Sequence, residues 1–372
     1  MKIKLSFHEK AKEESFLGGD ITVFSRSGLN ITETLLLNSY KDWRPKEKVL
    51  VIENRSSILP LAIKKVSPET EVEIQCFDHF YATQIKERLD KWDRSSSIKC
   101  HLGPDLPEQS YDEIYFQVTQ SISAEMVADI LQASYSALKP EGRLWVTSER
   151  QHRHTDSQIT KTFGQVSQYP GKEGSRWVIK KKKDLKKIKN YHAEFVFSLP
   201  SGLEVQLSTR PGVFSHRRVD EGAQSLAETM EIQAGDKVME LGCGHGGVGL
   251  LATKMAENVE VILIDSHTRA IESAKKNIDL NNAKNISTEL SASGLPENQK
   301  VDVFIGNPPY FSDNAISKLF IDQAFLHLKT GGCMFLVAKS MKWNETYAKE
   351  LFHSTEVIAR RGYKVLKAFK GQ

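Results

Sequence analysis

Lys237-Val238-Met239-Glu240-Leu241-Gly242-Cys243-Gly244-His245-Gly246-Gly247 is a short apolar strand that breaks into a turn with glycine at alternate positions. Gly247 to Ala256 then reads as a helix. Glycine makes such a turn tight and lets the backbone come close to a ligand. Alone, the pattern fits a bare strand-to-helix connection or a dinucleotide site. A second strand, Glu260 to Ile264, ends at Asp265, 21 positions beyond Gly244. A carboxylate there can accept hydrogen bonds from both hydroxyls of a ribose. Turn and carboxylate together predict a nucleoside cofactor in this half of the chain.

Outward from the turn, strand and helix patterns alternate. Thr268 to Leu280 places Ala270, Ile271, Ala274 and Ile278 at helical spacing, and Val301 to Ile305 is a buried strand. Ala315 to Leu328 is a helix, followed by strands at Met334–Ala338 and Val365–Phe369. This rhythm predicts an α/β fold with a mostly parallel open sheet, covered on both faces, whose ligands sit beyond the carboxyl ends of its strands.

The strand at Val301 runs directly into Asn307-Pro308-Pro309-Tyr310. Two prolines stiffen the loop and remove two N–H donors. Loop carbonyls and the Asn307 side-chain oxygen then suit the protons of a planar exocyclic amine, and Tyr310 suits stacking on the attached ring. Such an amine is a poor nucleophile because its lone pair is delocalised. Holding its protons on oxygens while aiming the lone pair at an electrophile is a workable catalytic plan.

The other half repeats this plan. Glu53 and Glu240, and Asp78 and Asp265, end comparable strands 187 positions apart. Tyr111-Asp112-Glu113-Ile114 answers Lys300-Val301-Asp302-Val303, and the later region matches at an offset of 190. Val23-Phe24-Ser25 answers Val213-Phe214-Ser215. Several elements in one order predict a duplicated fold, with domains at residues 1–190 and 195–372. After Glu53, however, the chain reads Asn54-Arg55-Ser56-Ser57-Ile58-Leu59-Pro60 without a glycine. Side chains there occupy the space a close cofactor needs, so the first copy is expected not to bind one.

The whole chain has 372 residues, 51 Lys plus Arg against 47 Asp plus Glu, and a formal charge of +4. That balance excludes a histone-like nucleic-acid coat. Residues 180–189 hold seven lysines and one aspartate, and the remainder carries 44 bases against 46 acids. The run is a candidate phosphate-contacting segment. Cys76, Cys100, Cys243 and Cys333 are isolated, which argues against a disulfide framework or a zinc site. With no export signal and no long apolar run, a cytoplasmic protein without a membrane partner is expected.

These motifs resemble those of class I S-adenosylmethionine-dependent methyltransferases. The chain as a whole resembles the two-domain bacterial ribosomal RNA guanine-N2 methyltransferases of the methyltransferase small domain family. The resemblance rests on Pro211-Gly212-Val213-Phe214-Ser215, Asp220 through Gly222, Glu240 through Gly246, Asp265, Asn307 through Tyr310, and Leu328-Lys329-Thr330-Gly331-Gly332. It implies two tandem Rossmann-like folds, the N-terminal one degenerate and serving substrate binding or structure, the C-terminal one catalytic.

It further implies S-adenosyl-L-methionine as cofactor, held by Glu240, Gly242, Gly244, Gly246, Asp265 and Ser291. Asn307, Pro308 and Tyr310 are the implied catalytic residues, with Pro309, Phe311 and Lys339 on the substrate side and no metal. Ser291 stands where the family often has an acidic residue. Phe311-Ser312-Asp313 and Ala338-Lys339 also depart from its usual pattern. The expected activity is methyl transfer to an exocyclic amino nitrogen, guanine N2 in ribosomal RNA, with RNA or a ribosomal subunit as partner and no obligatory protein partner. Adenine-N6 and protein-glutamine methylation share the Asn-Pro-Pro-Tyr motif. A non-catalytic RNA-binding or ribosome-assembly protein is the lower-ranked alternative.

Overall fold

The computed structural model describes all residues except 1–2, 7–11, 17–18, 20, 26–28, 54, 93–97, 120–121, 151–153, 310–313, 339–340 and 372. The chain divides into two compact units, Met1–Tyr191 and His192–Gln372.

The first unit opens with β1 (Ile3–Ser6), β2 (Lys12–Phe16) and β3 (Ile21–Ser25), which form a small sheet of order β1-β3-β2. It continues with α1 (Ile31–Leu37), β4 (Lys48–Ile52), α2 (Ile58–Val66), β5 (Glu71–Cys76), α3 (His79–Trp92), β6 (Lys99–Leu102) and β7 (Tyr111–Val118). Next come α4 (Ala124–Ser136), β8 (Leu138–Glu149), α5 (His154–Phe163), β9 (Gln168–Pro170) and β10 (Gly174–Lys180). Seven of these strands make one sheet, β6-β5-β4-β7-β8-β10-β9, parallel except that β10 pairs antiparallel with both β8 and β9.

The second unit starts with a hairpin, β11 (Ala193–Ser198) and β12 (Glu204–Thr209), followed by α6 (Glu221–Thr229). Then follow β13 (Lys237–Leu241), α7 (Gly247–Met255), β14 (Glu260–Asp265), α8 (Thr268–Leu280), β15 (Ile286–Leu290) and β16 (Val301–Gly306). It closes with α9 (Ala315–His327), β17 (Leu328–Ala338), α10 (Lys342–Leu351), β18 (Ser354–Arg360) and β19 (Tyr363–Phe369). Its sheet, β15-β14-β13-β16-β17-β19-β18, repeats the first sheet strand for strand, with β19 antiparallel to both β17 and β18.

The central strands are mostly apolar because both faces are covered. Val238, Val261, Leu263, Val303 and Ile305 pack on one side with Leu250, Leu251 and Phe335. Met239, Ile264 and Phe304 face the other side, against Phe320, Ile321 and Ala324. Alternate residues of one strand therefore feed two separate cores.

The sheet registers correct the alignment of the halves. Val49 pairs with Val72, and Val238 with Val261, and each of the two pairs opens its strand's apolar run. Residues of β4 and β5 thus correspond to those of β13 and β14 at an offset of 189, not 187. Tyr111 pairs with Leu138 across an irregularity, as Val301 does with Leu328, which sets the later offset at 190. Glu240 therefore answers Val51, Asp265 answers Cys76, and Gly242 answers Glu53. A slip of two residues keeps every strand side chain on its original face, so hydrophobic patterning cannot detect it. The Val-Phe-Ser match also dissolves. Val23–Ser25 lies in β3, whereas Val213–Ser215 lies in the turn before α6.

The lysine run leaves β10 as irregular chain. Lys181 is buried, and its Nζ donates to the Ser136 and Leu138 carbonyls at the end of α4. The backbone of Lys189 pairs with the Gln132 side chain. Lys182, Lys183, Lys186 and Lys187 are exposed.

Candidate active site

Gly242, Gly244 and Gly246 all adopt left-handed backbone, with φ of 69°, 54° and 77°. Other residues rarely settle there. At Gly244 a Cβ would meet nothing within 4 Å, so the turn borders open space at its middle step. Gly246 caps α7 in this conformation, and Gly246 N donates to the Cys243 carbonyl at 2.8 Å.

Beneath the turn, Glu240 is buried, and its Oε2 accepts from Gly249 N at 2.8 Å. A Cβ at Gly249 would lie 2.7 Å from that oxygen, so only glycine lets α7 approach so closely. Burial pushes the Glu240 carboxyl up to about 8, with Asp265 adding to the rise and the Gly249 N–H opposing it. Glu240 thus holds the turn from below. His245 is also buried; burial lowers its imidazole to about 4, and its Nδ1 accepts from Gly247 N at 3.2 Å.

Asp265 ends β14 beside the turn. Its Oδ2 accepts from Gly244 N at 2.9 Å and its Oδ1 from His267 N at 2.8 Å. Each carboxylate oxygen can accept more than one bond, so these contacts fix the group without precluding hydroxyl donors. Ser291 follows β15, but its hydroxyl donates to the Gly294 carbonyl at 2.6 Å and accepts from Ser293 N at 3.3 Å. That hydroxyl closes its own loop.

Leu241 pairs directly with Gly306 across β13 and β16. Gly242 and Asn307 therefore leave adjacent strands at one level, which brings the glycine turn beside the Asn-Pro-Pro loop. Phe320 on α9 packs under both: a Cβ at Gly242 would lie 2.9 Å from its ring, and one at Gly306 2.6 Å. Asn307 and Pro309 are half-buried and Pro308 is buried. Asn307 Nδ2 donates to Asp220 Oδ2 at 3.1 Å. Tyr310, Phe311 and Lys339 lie outside the described residues.

Two supporting residues, Phe320 and Asn277, escaped the sequence reading, and a third, Asp220, entered it only within the resemblance. Asp220 lies 87 residues from the amide it meets. Phe320 looks like any helix core residue. Asn277 is fully buried; its Nδ2 donates to the His245 carbonyl at 2.9 Å, and its Oδ1 accepts from Ser208 N at 2.7 Å. A lone asparagine in a helix pattern carries no signal for this clamp. Among the described residues, no group of three His, Cys, Asp or Glu side chains is placed to hold a metal, and no helix is long and apolar enough to cross a membrane.

Sheet order, glycine turn, strand-end aspartate and Asn-Pro-Pro loop together define the class I S-adenosylmethionine-dependent methyltransferase fold. Residues 204–367, within the second unit, match the model of the methyltransferase small domain family. The chain is 32% identical over 181 residues to ribosomal RNA small subunit methyltransferase C of Haemophilus influenzae strain PittGG, a match to 47% of this chain and 53% of that protein. It thus spans about half the length of that relative. The protein of the same name from Shewanella loihica is 25% identical over 332 residues, 86% of this chain and 93% of that one. In fold, the chain matches the T. thermophilus 16S rRNA N2 methyltransferase, solved in complex with AdoMet and guanosine. That match has a TM-score of 0.75 at 20% identity and covers 97% and 98% of the two chains.

Proposed function

We propose that this protein is an S-adenosylmethionine-dependent methyltransferase acting on an exocyclic amino nitrogen, guanine N2 of ribosomal RNA. The observation that carries the reading is the pairing of Leu241 with Gly306, which sets the glycine turn beside Asn307 and Pro308. The residues fit the cofactor: the space over Gly244 is open, and Asp265 is fixed at its edge. Gly242, Gly244 and Gly246 let the backbone approach the methionine portion, and Asp265 accepts from the ribose. Glu240 supports the turn from beneath and is assigned no direct contact. Ser291 is likewise assigned to its loop.

S-adenosylmethionine supplies a methyl group made electrophilic by its sulfonium, which leaves as a neutral thioether. Asn307 Oδ1 and the carbonyls around Pro308 accept the protons of the target amine. With both protons held, the nitrogen lone pair points along one direction and forms the new N–C bond, and one proton passes to solvent afterwards. Catalysis is then orientation plus acceptance of positive charge that grows on the amine. The resemblance assigns Tyr310 to stacking on the base and Pro309, Phe311 and Lys339 to substrate binding.

An RNA base is favoured over protein glutamine by the likeness, over most of the chain, to proteins named ribosomal RNA small subunit methyltransferase C. Guanine N2 is favoured over adenine N6 by the shared fold with a 16S rRNA N2 methyltransferase solved with guanosine. The first unit serves RNA placement or structure, with rRNA or a ribosomal subunit as partner in the cytoplasm. The test is nucleoside mass spectrometry of rRNA and protein from cells lacking the gene. Loss of one N2-methylguanosine is expected; loss of N6-methyladenosine or methylglutamine instead would overturn the assignment.

A further inference from the structure

Asp220 caps α6: its backbone is extended, with φ −76° and ψ 136°, and its Oδ2 accepts from Ala223 N at 3.0 Å. The same oxygen accepts from Asn307 Nδ2 at 3.1 Å. We infer that Asp220 is a positioning residue, whose carboxylate selects the orientation of the Asn307 amide in which the oxygen is presented to the target amine. The inference rests on the methyl-transfer reading of this site.

An asparagine amide has two orientations that fill nearly the same volume and exchange donor for acceptor. A loop meant to hold amine protons works in only one of them. A carboxylate beside the amide accepts from its NH₂ and meets its oxygen only with repulsion, so the nitrogen faces Asp220 and the oxygen faces away. A hydrogen bond to a charged group biases such a choice by roughly 10- to 100-fold.

Capping alone does not require this carboxylate, and the first unit supplies the comparison. Asn30 caps α1 there, its side-chain oxygen accepting from Glu33 N at 2.8 Å. At the offset of 190, Gln117 occupies the place of Asn307. Its Oε1 accepts from Thr32 Oγ1 at 3.4 Å, while its buried Nε2 has no hydrogen-bond partner among the described residues. The copy without the glycine turn thus keeps a neutral cap and leaves its amide nitrogen unheld. The copy with the turn has a carboxylate at the cap and engages the amide nitrogen with it.

The experiment substitutes Asp220→Asn in the full chain, since asparagine caps helices as well as aspartate does. Expected are an unchanged melting temperature, cofactor affinity within about twofold, and kcat lowered roughly 5- to 20-fold through the weakened amide bias. In an Asn307→Asp background there is no amide to orient, so the same substitution should cost no kcat. An equal loss in both backgrounds, or wild-type kcat in Asp220→Asn, overturns the inference. A second readout does not need turnover: with asparagine-selective 15N labelling, the Asn307 side-chain resonances, assigned by their loss in Asn307→Asp, should shift in Asp220→Asn. Unmoved resonances overturn the amide contact. A wild-type protein that transfers no methyl group to RNA while those resonances do shift would instead count against the functional reading.

Discussion

Gly242, Gly244 and Gly246 carry the chain out of β13; Glu53, Arg55 and Ser57 carry it out of β4 at the same three steps. Two of the left-handed positions survive in the first copy, Glu53 at φ 55° and Ser57 at φ 66°, against 69° for Gly242 and 77° for Gly246. The helices that follow, α2 and α7, both have nine residues. The path of the turn is therefore a property of the sheet-and-helix frame and persists without glycine. Openness is a separate property. It depends on the missing side chain at Gly244 and on Asp265, whose counterpart is the buried Cys76. A duplicated frame can keep its topology and lose its ligand through a handful of side chains.

Copying first-unit residues into the second tests this most severely. Gly244→Arg, which installs the counterpart Arg55, should weaken cofactor binding by roughly 100-fold or more, because a side chain then fills the ligand's volume. Calorimetric titration measures it, and binding within threefold of wild type would refute the open-space argument. Asp265→Cys should weaken binding by about 10- to 100-fold, the loss of hydrogen bonds to a charged acceptor. Binding that survives intact would remove Asp265 from the ribose contact.

The division of labour between the copies gives a smaller effect. Replacing Lys182, Lys183, Lys186 and Lys187 with alanine should weaken RNA binding about 10-fold at low salt and flatten its salt dependence by up to about 0.7 per lost phosphate contact. Cofactor titrations should not change. RNA affinity that is indifferent to all four would reject the steering role. Lys181 belongs in no such variant, since it closes α4.

Glu240 yields an effect on stability and not on binding. Its carboxyl lies at about 8 in the folded chain, against an unfolded value of about 4.3. The folded state thus keeps a proton that the unfolded state releases, and this contribution is full below about pH 4.3 and lost as pH rises toward 8. Glu240→Gln keeps an acceptor for Gly249 N and carries no charge. Its melting temperature relative to wild type should rise by about 3 °C or more between pH 5 and pH 8. A constant difference across that range would disprove the buried-proton account.

The chemistry-bearing turns were legible in the sequence because each is a local backbone requirement: glycine where φ is positive, proline where no donor is wanted, an acid at a strand end. The strand order of both sheets likewise agrees with the βα rhythm. The register between the halves was not legible. Acidic landmarks two residues out of step lie on the same face, and β patterning repeats every two residues. The resemblance implies Ser291 at the cofactor; what no sequence pattern shows is that its hydroxyl bonds its own loop, at the Gly294 carbonyl. Asp220 entered only through a resemblance, since nothing local ties a helix cap to an amide 87 residues away.

Ser57 carries a local cost in the first unit's turn. It is completely buried, left-handed at φ 66°, and its hydroxyl has no hydrogen-bond partner among the described residues. A non-glycine residue in that conformation is strained by about 1–2 kcal/mol, and an unsatisfied buried hydroxyl adds about 1–3 kcal/mol. Ser57→Gly removes both burdens, less the chain entropy that glycine forfeits on folding. The first unit should therefore melt later by a degree or two in calorimetry, with RNA affinity untouched. The turn that the frame preserved without its ligand is, for anyone wishing to make this protein hardier, the cheapest place to begin.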